Sequence, residues 1–327
     1  MIKRDSIRQI GVFTSGGDSP GMNAAIYGIA KAAQSNQIRL VGIQKGFEGM
    51  ISGNFVELDI NQLQKDVHRG GTILKTARSE RFRTEEGRKT AKKMLEENNI
   101  DALIAIGGDG TFKGLLEFSK IIEIPLIGIP GTIDNDLAGT DYTLGFDTAV
   151  NTAIQNIDKI RDTAESHNRV FIVEVMGRDS GYIAINSGLG TGADAILIPE
   201  KKDDINLLLE KISNYKSDDA FIIIISEGDE VGIDKTVANI KKINQNVDIR
   251  ITKLGHVQRG GNPSAFDRML GIRLGVSSID SLQNKLTNVM VGLQNNKIVN
   301  TPFKQVVKLH IVDKELRKLL NLFGNLI

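Results

Sequence analysis

Two carboxylates, a threonine and an asparagine crowd into Pro130-Gly131-Thr132-Ile133-Asp134-Asn135-Asp136, directly after an apolar run. Placed so, the Asp134 carboxylate can accept the proton of an alcohol as a phosphoryl group arrives, while Asp136 can tune its neighbour or hold a metal. A solvated acidic turn would have the same composition. A second segment, Ile106-Gly107-Gly108-Asp109-Gly110-Thr111, clears side chains from where a phosphate chain could lie and offers Asp109 as a hard oxygen ligand for Mg²⁺, directly or through water. Its alternative is an ordinary turn with a capping aspartate. A third, Thr14-Ser15-Gly16-Gly17-Asp18-Ser19-Pro20-Gly21, lets backbone N–H groups approach an anion at the start of a helix. Tight turns after strands use glycine for steric reasons alone, so this segment decides nothing by itself. The Gly-x-x-x-x-Gly-Lys-Ser/Thr pattern does not occur, which argues against a P-loop enzyme.

Such loops need a rigid frame. Short runs rich in Ile and Val, each followed by a Gly/Asp/Ser turn and a helical pattern, predict an α/β chain of βαβ units with a parallel sheet buried on both faces. The predicted strands are Gln9–Thr14, Arg39–Ile43, Ala102–Ile106, Pro125–Ile129, Arg169–Val175, Ala195–Ile198, Phe221–Ser226 and Asp248–Lys253. Thr84 can cap a helix running to about Asn98, with Glu85 and Glu86 at its positive end. Ile154, Ile157 and Ile160 mark one face of another helix. Near the end, Val289–Leu293 and Lys297–Val299 around Asn295-Asn296 predict a hairpin, and Asp313–Leu322 a closing helix. Gly16–Gly21 is echoed by Gly177-Arg178-Asp179-Ser180-Gly181, which fits either two related halves or the general abundance of these residues in turns.

Composition narrows the class. With 40% hydrophobic residues in 327, the chain can bury at least one large core. Lysines and arginines number 41 against 40 acids, so no basic field advertises nucleic acid or an anionic membrane. The absence of cysteine excludes disulfides, thiolate zinc sites and cysteine nucleophiles, and agrees with a cytoplasmic protein. Asp5 falls where a signal peptide needs its apolar run, and no stretch approaches the ~18 apolar residues of a membrane span.

The segments Thr14–Asn23, Arg69-Gly70-Gly71-Thr72, Gly107–Gly110, Pro130–Asp136, Val173-Glu174-Val175-Met176-Gly177-Arg178 and Gly255-His256-Val257-Gln258-Arg259-Gly260-Gly261, in this order, resemble the ATP-dependent 6-phosphofructokinases of bacteria. The match runs from about Ile10 to Arg273. The resemblance implies two similar three-layer α/β domains with mainly parallel sheets and the active site in the cleft between them. Residues 1–145 plus about 258–308 would bind ATP, and 146–257 plus about 309–327 fructose 6-phosphate.

It further implies that Gly17, Gly108, Asp109, Gly110 and Thr111 cradle ATP, that Arg78 and Ser79 reach its phosphates, and that Asp109 serves Mg²⁺. Asp134 would be the general base on the sugar 1-hydroxyl, with Thr132 beside it and Asp136 supporting charge balance. His256 and Arg259 would bind the sugar phosphate, joined by Arg169 and Arg250 from a neighbouring subunit of a homotetramer. Met176, Gly177, Arg178 and Glu227 would hold the sugar and assist transfer. In members that use pyrophosphate, the positions of Gly110 and Gly131 typically carry Asp and Lys; glycine at both implies ATP as donor.

The sequence departs from the family at the effector site, where ADP activates and phosphoenolpyruvate inhibits. Tyr27 and Lys31 stand where arginines are usual, Asp218 and Asp219 replace a lysine pair, and Asp194 replaces a metal-linked Glu, although Arg161 persists. Acids in place of cations invert the local field, so weak or absent regulation is expected. Kinases of the NAD or diacylglycerol type share Gly-Gly-Asp-Gly but lack the Pro130–Asp136 and Gly255–Arg259 patterns. A catalytically silent sugar-phosphate-binding subunit would be expected to have lost Asp109 or Asp134, and both are present.

Overall fold

The computed structural model describes residues 7–201, 204–215, 219–309 and 311–322. Eleven strands occur among them: β1 (Gln9–Ser15), β2 (Arg39–Ile43), β3 (Phe55–Glu57), β4 (Ala102–Gly107), β5 (Leu126–Pro130), β6 (Val170–Val175), β7 (Ala195–Leu197), β8 (Phe221–Ser226), β9 (Ile249–Lys253), β10 (Val289–Gln294) and β11 (Lys297–Pro302). The helices that follow or precede them are α1 (Met22–Ser35), α2 (Gly46–Ile51), α3 (Ile60–Asp66), α4 (Glu85–Glu97), α5 (Asp109–Phe118), α6 (Phe146–His167), α7 (Tyr182–Gly190), α8 (Asp204–Ser213), α9 (Gly232–Ile243), α10 (Ala265–Gln283) and α11 (Lys314–Leu322). No helix among the described residues is long and apolar enough to cross a membrane.

The chain divides into two compact units. The first comprises Met1–Ile133, Leu137–Asp147 and Arg259–Lys308; the second comprises Asp134–Asp136, Thr148–Gln258 and Leu309–Ile327. In the first, seven strands run in the order β11-β10-β5-β4-β1-β2-β3, parallel except for the outer partners β3 and β11. Alternation along β1 explains its apolar run: Ile10 and Val12 enter a core with Met22, Ile26 and Ile29 of α1 and Leu274 of α10, while Phe13 enters an aromatic core with Phe47, Phe82, Phe112 and Phe118. Helices therefore cover both faces of this sheet.

In the second unit, four parallel strands run in the order β7-β8-β6-β9. Phe221, Ile223 and Ile225 of β8 pack with Leu208 of α8 and Ile240 of α9, and a side chain at Gly188 of α7 would strike Ile196 of β7 from the other side. The predicted burial of every strand on both faces needs correction at β9. This edge strand leaves Arg250, Ile251 and Lys253 exposed, because it has β6 as a neighbour on one side alone. Thr84 caps α4 through Gly87 N–H as expected, at 3.1 Å, and the hairpin β10–β11 forms with Asn295 and Asn296 both at positive φ.

Candidate active site

Three neighbouring parallel strands, β1, β4 and β5, deliver the three glycine-rich loops at their carboxyl ends, where open α/β sheets place their ligands. Register makes the loops adjacent: Ser15 pairs with Gly107, and Gly107 with Pro130. The Thr111 hydroxyl then donates to the Ser15 carbonyl at 3.3 Å, joining the second loop to the first, and Gly131 N–H donates to the Gly107 carbonyl at 2.9 Å, joining the third to the second. Gly107 has to lack a side chain, since a Cβ there would lie 2.3 Å from Thr111 Oγ1 and 2.5 Å from the Ser15 carbonyl. Thr143 fixes the third loop by donating to the Thr132 carbonyl at 2.6 Å.

Asp109 opens α5. Its Oδ2 is bonded to Lys113 Nζ at 2.7 Å, whereas Oδ1 is buried without a hydrogen-bond partner among the described residues. Buried carboxylate oxygens rarely go unpaired, so this one is suited to a cation or a water that a ligand brings. No cluster of three or more metal-binding side chains occurs among the described residues. The chemistry fits Mg²⁺, which takes one or two carboxylates and completes its shell from water and phosphate oxygens.

Thr76 Oγ1 donates to the Gly16 carbonyl at 2.7 Å, holding the Arg69–Ser79 segment on the first loop. There Arg78 is exposed, with no hydrogen-bond or ion-pair partner among the described residues. Ser79, by contrast, is engaged: its hydroxyl donates to Glu48 Oε2 at 2.7 Å and accepts from Phe82 N–H. The bond from Ser79 lowers the pKa of the Glu48 carboxyl, with Arg81 adding to the effect against partial desolvation. Arg259 also lies in the first unit, its Nη1 3.4 Å from the Asp18 carbonyl and 2.7 Å from where a Cβ on Gly17 would stand. The structure thus sets Arg259 beside the first loop, while His256 belongs to the second unit and is exposed.

Asp134 and Asp136 are buried, and with Asn135 they group with the second unit. The hydroxyl of Ser180 donates to the Asp134 carbonyl at 2.9 Å, and Leu309 N–H to the Asp136 carbonyl at 2.7 Å. Ser180 ends the turn after β6 that carries Met176, Gly177 and Arg178. This turn is tightly specified: Gly177 has φ 143°, Arg178 sits in the left-handed region at φ 53°, and Arg178 N–H donates to Glu227 Oε1 at 3.0 Å. Strain of that kind on a non-glycine residue persists only where surroundings impose it. Gly228 completes the fit, since a Cβ there would fall 1.6 Å from the Arg178 carbonyl. The Arg178 side chain is exposed.

Arg169, just before β6, and Arg250 of β9 both bond Asp248 Oδ2, at 2.7 and 3.2 Å. Sequence reasoning missed Asp248 as the residue that gathers them, and it missed Ser180, Gln258 and Thr143 as supports. Short polar side chains bonding distant main-chain groups leave no local pattern. Of the effector positions, Asp218 lies outside the described residues. Asp194 Oδ2 accepts Ile222 N–H at 2.7 Å, and Arg161 donates to the carbonyls of Thr191 and Gly192. Burial pushes the Asp194 carboxyl above its usual range, opposed by the Ile222 bond and the nearby Arg161 and Lys211.

The sequence pattern of the phosphofructokinase family matches residues 9–282. A relative in Cytophaga hutchinsonii, named ATP-dependent 6-phosphofructokinase, is 49% identical over 300 residues, covering 91% of this chain and 92% of its own. The ATP-dependent 6-phosphofructokinase 1 of Thermus thermophilus is 46% identical, covering 92% and 94%. Among solved structures, phosphofructokinase from Saccharomyces cerevisiae superposes with a TM-score of 0.85 at 32% identity, over 91% of this chain and 45% of that longer one. A pyrophosphate-dependent phosphofructokinase from Marinobacter aquaeolei, at 21% identity and a TM-score of 0.83, covering 98% of this chain and 92% of its own, shares the fold. Sequence pattern, relatives and fold agree, and the chain belongs to the phosphofructokinase family.

Proposed function

We propose that this chain transfers the γ-phosphoryl group of ATP to the 1-hydroxyl of fructose 6-phosphate, giving fructose 1,6-bisphosphate and ADP. The observation that carries the reading is the run of three interlocked loops at adjacent strand ends, with an unpaired buried oxygen on Asp109 and a buried Asp134 two residues beyond Thr132. Relatives at 49% and 46% identity are named for this reaction with ATP as donor.

In this reading the first unit holds the nucleotide. The backbone at Gly17 and Gly108–Thr111 surrounds the phosphates, and the unpartnered Arg78 neutralises their charge. Asp109 would hold Mg²⁺, which when bound neutralises charge developing on the phosphate oxygens. The second unit holds the acceptor through Met176, Gly177, Arg178, Glu227 and His256, with Arg259 at the border of the two segments. Asp134 accepts the proton of the 1-hydroxyl as its oxygen bonds to the γ-phosphorus and the bond to the bridging oxygen of ADP breaks. Thr132 lies beside the reacting groups, and Arg178 stabilises the transferring oxygens. Arg169 and Arg250, gathered on Asp248, would serve the sugar phosphate of a neighbouring subunit in a homotetramer, whose mass sedimentation equilibrium would measure. A cytoplasmic location suits this soluble-substrate chemistry.

ADP release with fructose 6-phosphate and Mg-ATP tests the assignment. Asp134→Ala is expected to lower kcat by about a hundredfold to ten-thousandfold, the scale for losing a general base. An unchanged kcat would remove Asp134 from the mechanism. Binding of fructose 6-phosphate without turnover by the unaltered chain would favour a silent sugar-phosphate-binding subunit.

A further inference from the structure

Gln258 is fully buried, at 0% exposure, yet it carries a primary amide. Both ends of that amide are used: Oε1 accepts Met176 N–H at 3.2 Å, and Nε2 donates to the Gly255 carbonyl at 3.0 Å. The two partners lie 82 and 3 residues away along the chain, at the starts of two different turns.

Each turn receives one of these bonds at its first residue. Met176 is the first residue past β6, where the ladder is giving out; Leu254 N–H reaches Glu174 and Glu227 N–H reaches Val175, but Met176 N–H has gone beyond the paired residues. Met176 is buried, and without an acceptor its N–H would be an orphan in an apolar setting. The residues that follow it, Gly177 and Arg178, have φ 143° and 53°, so their orientation depends on where Met176 is pinned. The other turn, Gly255–Arg259, begins at Gly255 with φ 55° and carries His256.

The chemistry demanded at this point is one acceptor and one donor on a single unbranched side chain, in a place from which water is excluded. A carboxylate of the same length accepts but cannot donate, and a thioether does neither. Glutamine meets the demand without a buried charge.

We propose that Gln258 is a positioning residue for the acceptor half of the site, locking the Met176–Gly177–Arg178 turn to the turn that presents His256. It touches no substrate. Its effect should fall on the sugar phosphate and spare the nucleotide, whose loops belong to the first unit. This inference rests on the proposed function, and the experiment separates the two.

Fructose 6-phosphate and ATP binding are measured at equilibrium, with KM for each and melting temperature, for the unaltered chain, Gln258→Met and Gln258→Glu. Gln258→Met keeps the volume and loses both bonds; Gln258→Glu keeps the acceptor for Met176 N–H and loses the donor. Expected is a rise of about tenfold or more in Kd and KM for fructose 6-phosphate in both variants, from two lost main-chain hydrogen bonds in Gln258→Met and from a carboxyl set against the Gly255 carbonyl in Gln258→Glu, with ATP values within about twofold. Unchanged fructose 6-phosphate affinity in either folded variant overturns the proposal. So does a parallel loss for both ligands, or failure of both variants to fold, since either marks Gln258 as a general structural residue. If the unaltered chain binds no fructose 6-phosphate, the proposed function fails instead.

Discussion

Gly110 and Gly131 illustrate how one residue type can be required for opposite reasons. A Cβ at Gly110 would meet nothing within 4 Å, whereas one at Gly131 would press at 3.0 Å on both Ile106 Cγ2 and Met22 Cε. Gly131 is thus held by packing, and Gly110 by nothing in the protein itself. The open space at Gly110 leaves room for the phosphate chain of the proposed ATP donor. Gly110→Asp should therefore fold with an unchanged melting temperature while raising KM for ATP by about tenfold or more, through repulsion between the new carboxylate and the phosphate chain. Equal loss of stability and affinity would show that Gly110 matters for folding. At this scale the sequence was informative about loops and poor about their supports. Glycine beside aspartate after an apolar run announces Gly107–Thr111, but nothing near Ser180 announces that its hydroxyl holds the carbonyl of Asp134, 46 residues earlier.

Among the elements, α1 and α10 come backbone to backbone at their glycines. A Cβ on Gly275 would lie 2.4 Å from the Ala25 carbonyl, and one on Gly28 would lie 2.6 Å from the Ile272 carbonyl. This brings α10, from late in the sequence, against the helix that follows the first loop. Gly145 N–H then bonds Asp267 Oδ1 at 2.8 Å, near the amino end of α10. Gly275→Val should cost about 1–3 kcal/mol of stability, the range for overpacking, read as a shift in denaturation midpoint. No shift would mean that the helices can separate freely. The strands were legible because β1, β4, β5 and β8 are continuous apolar runs bounded by turn residues. α10 was not, because its buried face carries Asp267, Gly271, Gly275, Ser278 and Ser281 while Phe266, Met269 and Val276 lie exposed, so its apolar residues form no stripe at the helical period. β3 escaped too: three residues at a sheet edge, two half-buried and one exposed, are too short a run to register.

For the whole molecule, the question is whether ligands outside the catalytic loops alter the response to substrate. Arg161, an effector-site cation that persists by resemblance, donates to carbonyls at the end of α7, and the Asp194 carboxylate accepts Ile222 N–H of β8. Both groups are engaged within their own unit, and the Asp194 carboxylate adds negative charge near Arg161, which disfavours an anion there. Fructose 6-phosphate saturation is therefore expected to be hyperbolic and insensitive to ADP or phosphoenolpyruvate. Sigmoidal kinetics that added ADP relieves would overturn that expectation.

The division of the chain into six alternating segments has a consequence for how such molecules can change. The polypeptide passes from one unit to the other five times, and one of its visits to the second unit lasts just the three residues Asp134–Asp136. On the proposed mechanism, a chimera built by exchanging the long second-unit segment, Thr148–Gln258, with that of a relative would inherit the acceptor site from one parent and the base from the other. Recombination at the obvious boundaries would thus separate the two groups proposed to act on one hydroxyl, and residues 134–136 would have to travel with the distant half for the exchange to preserve the pairing.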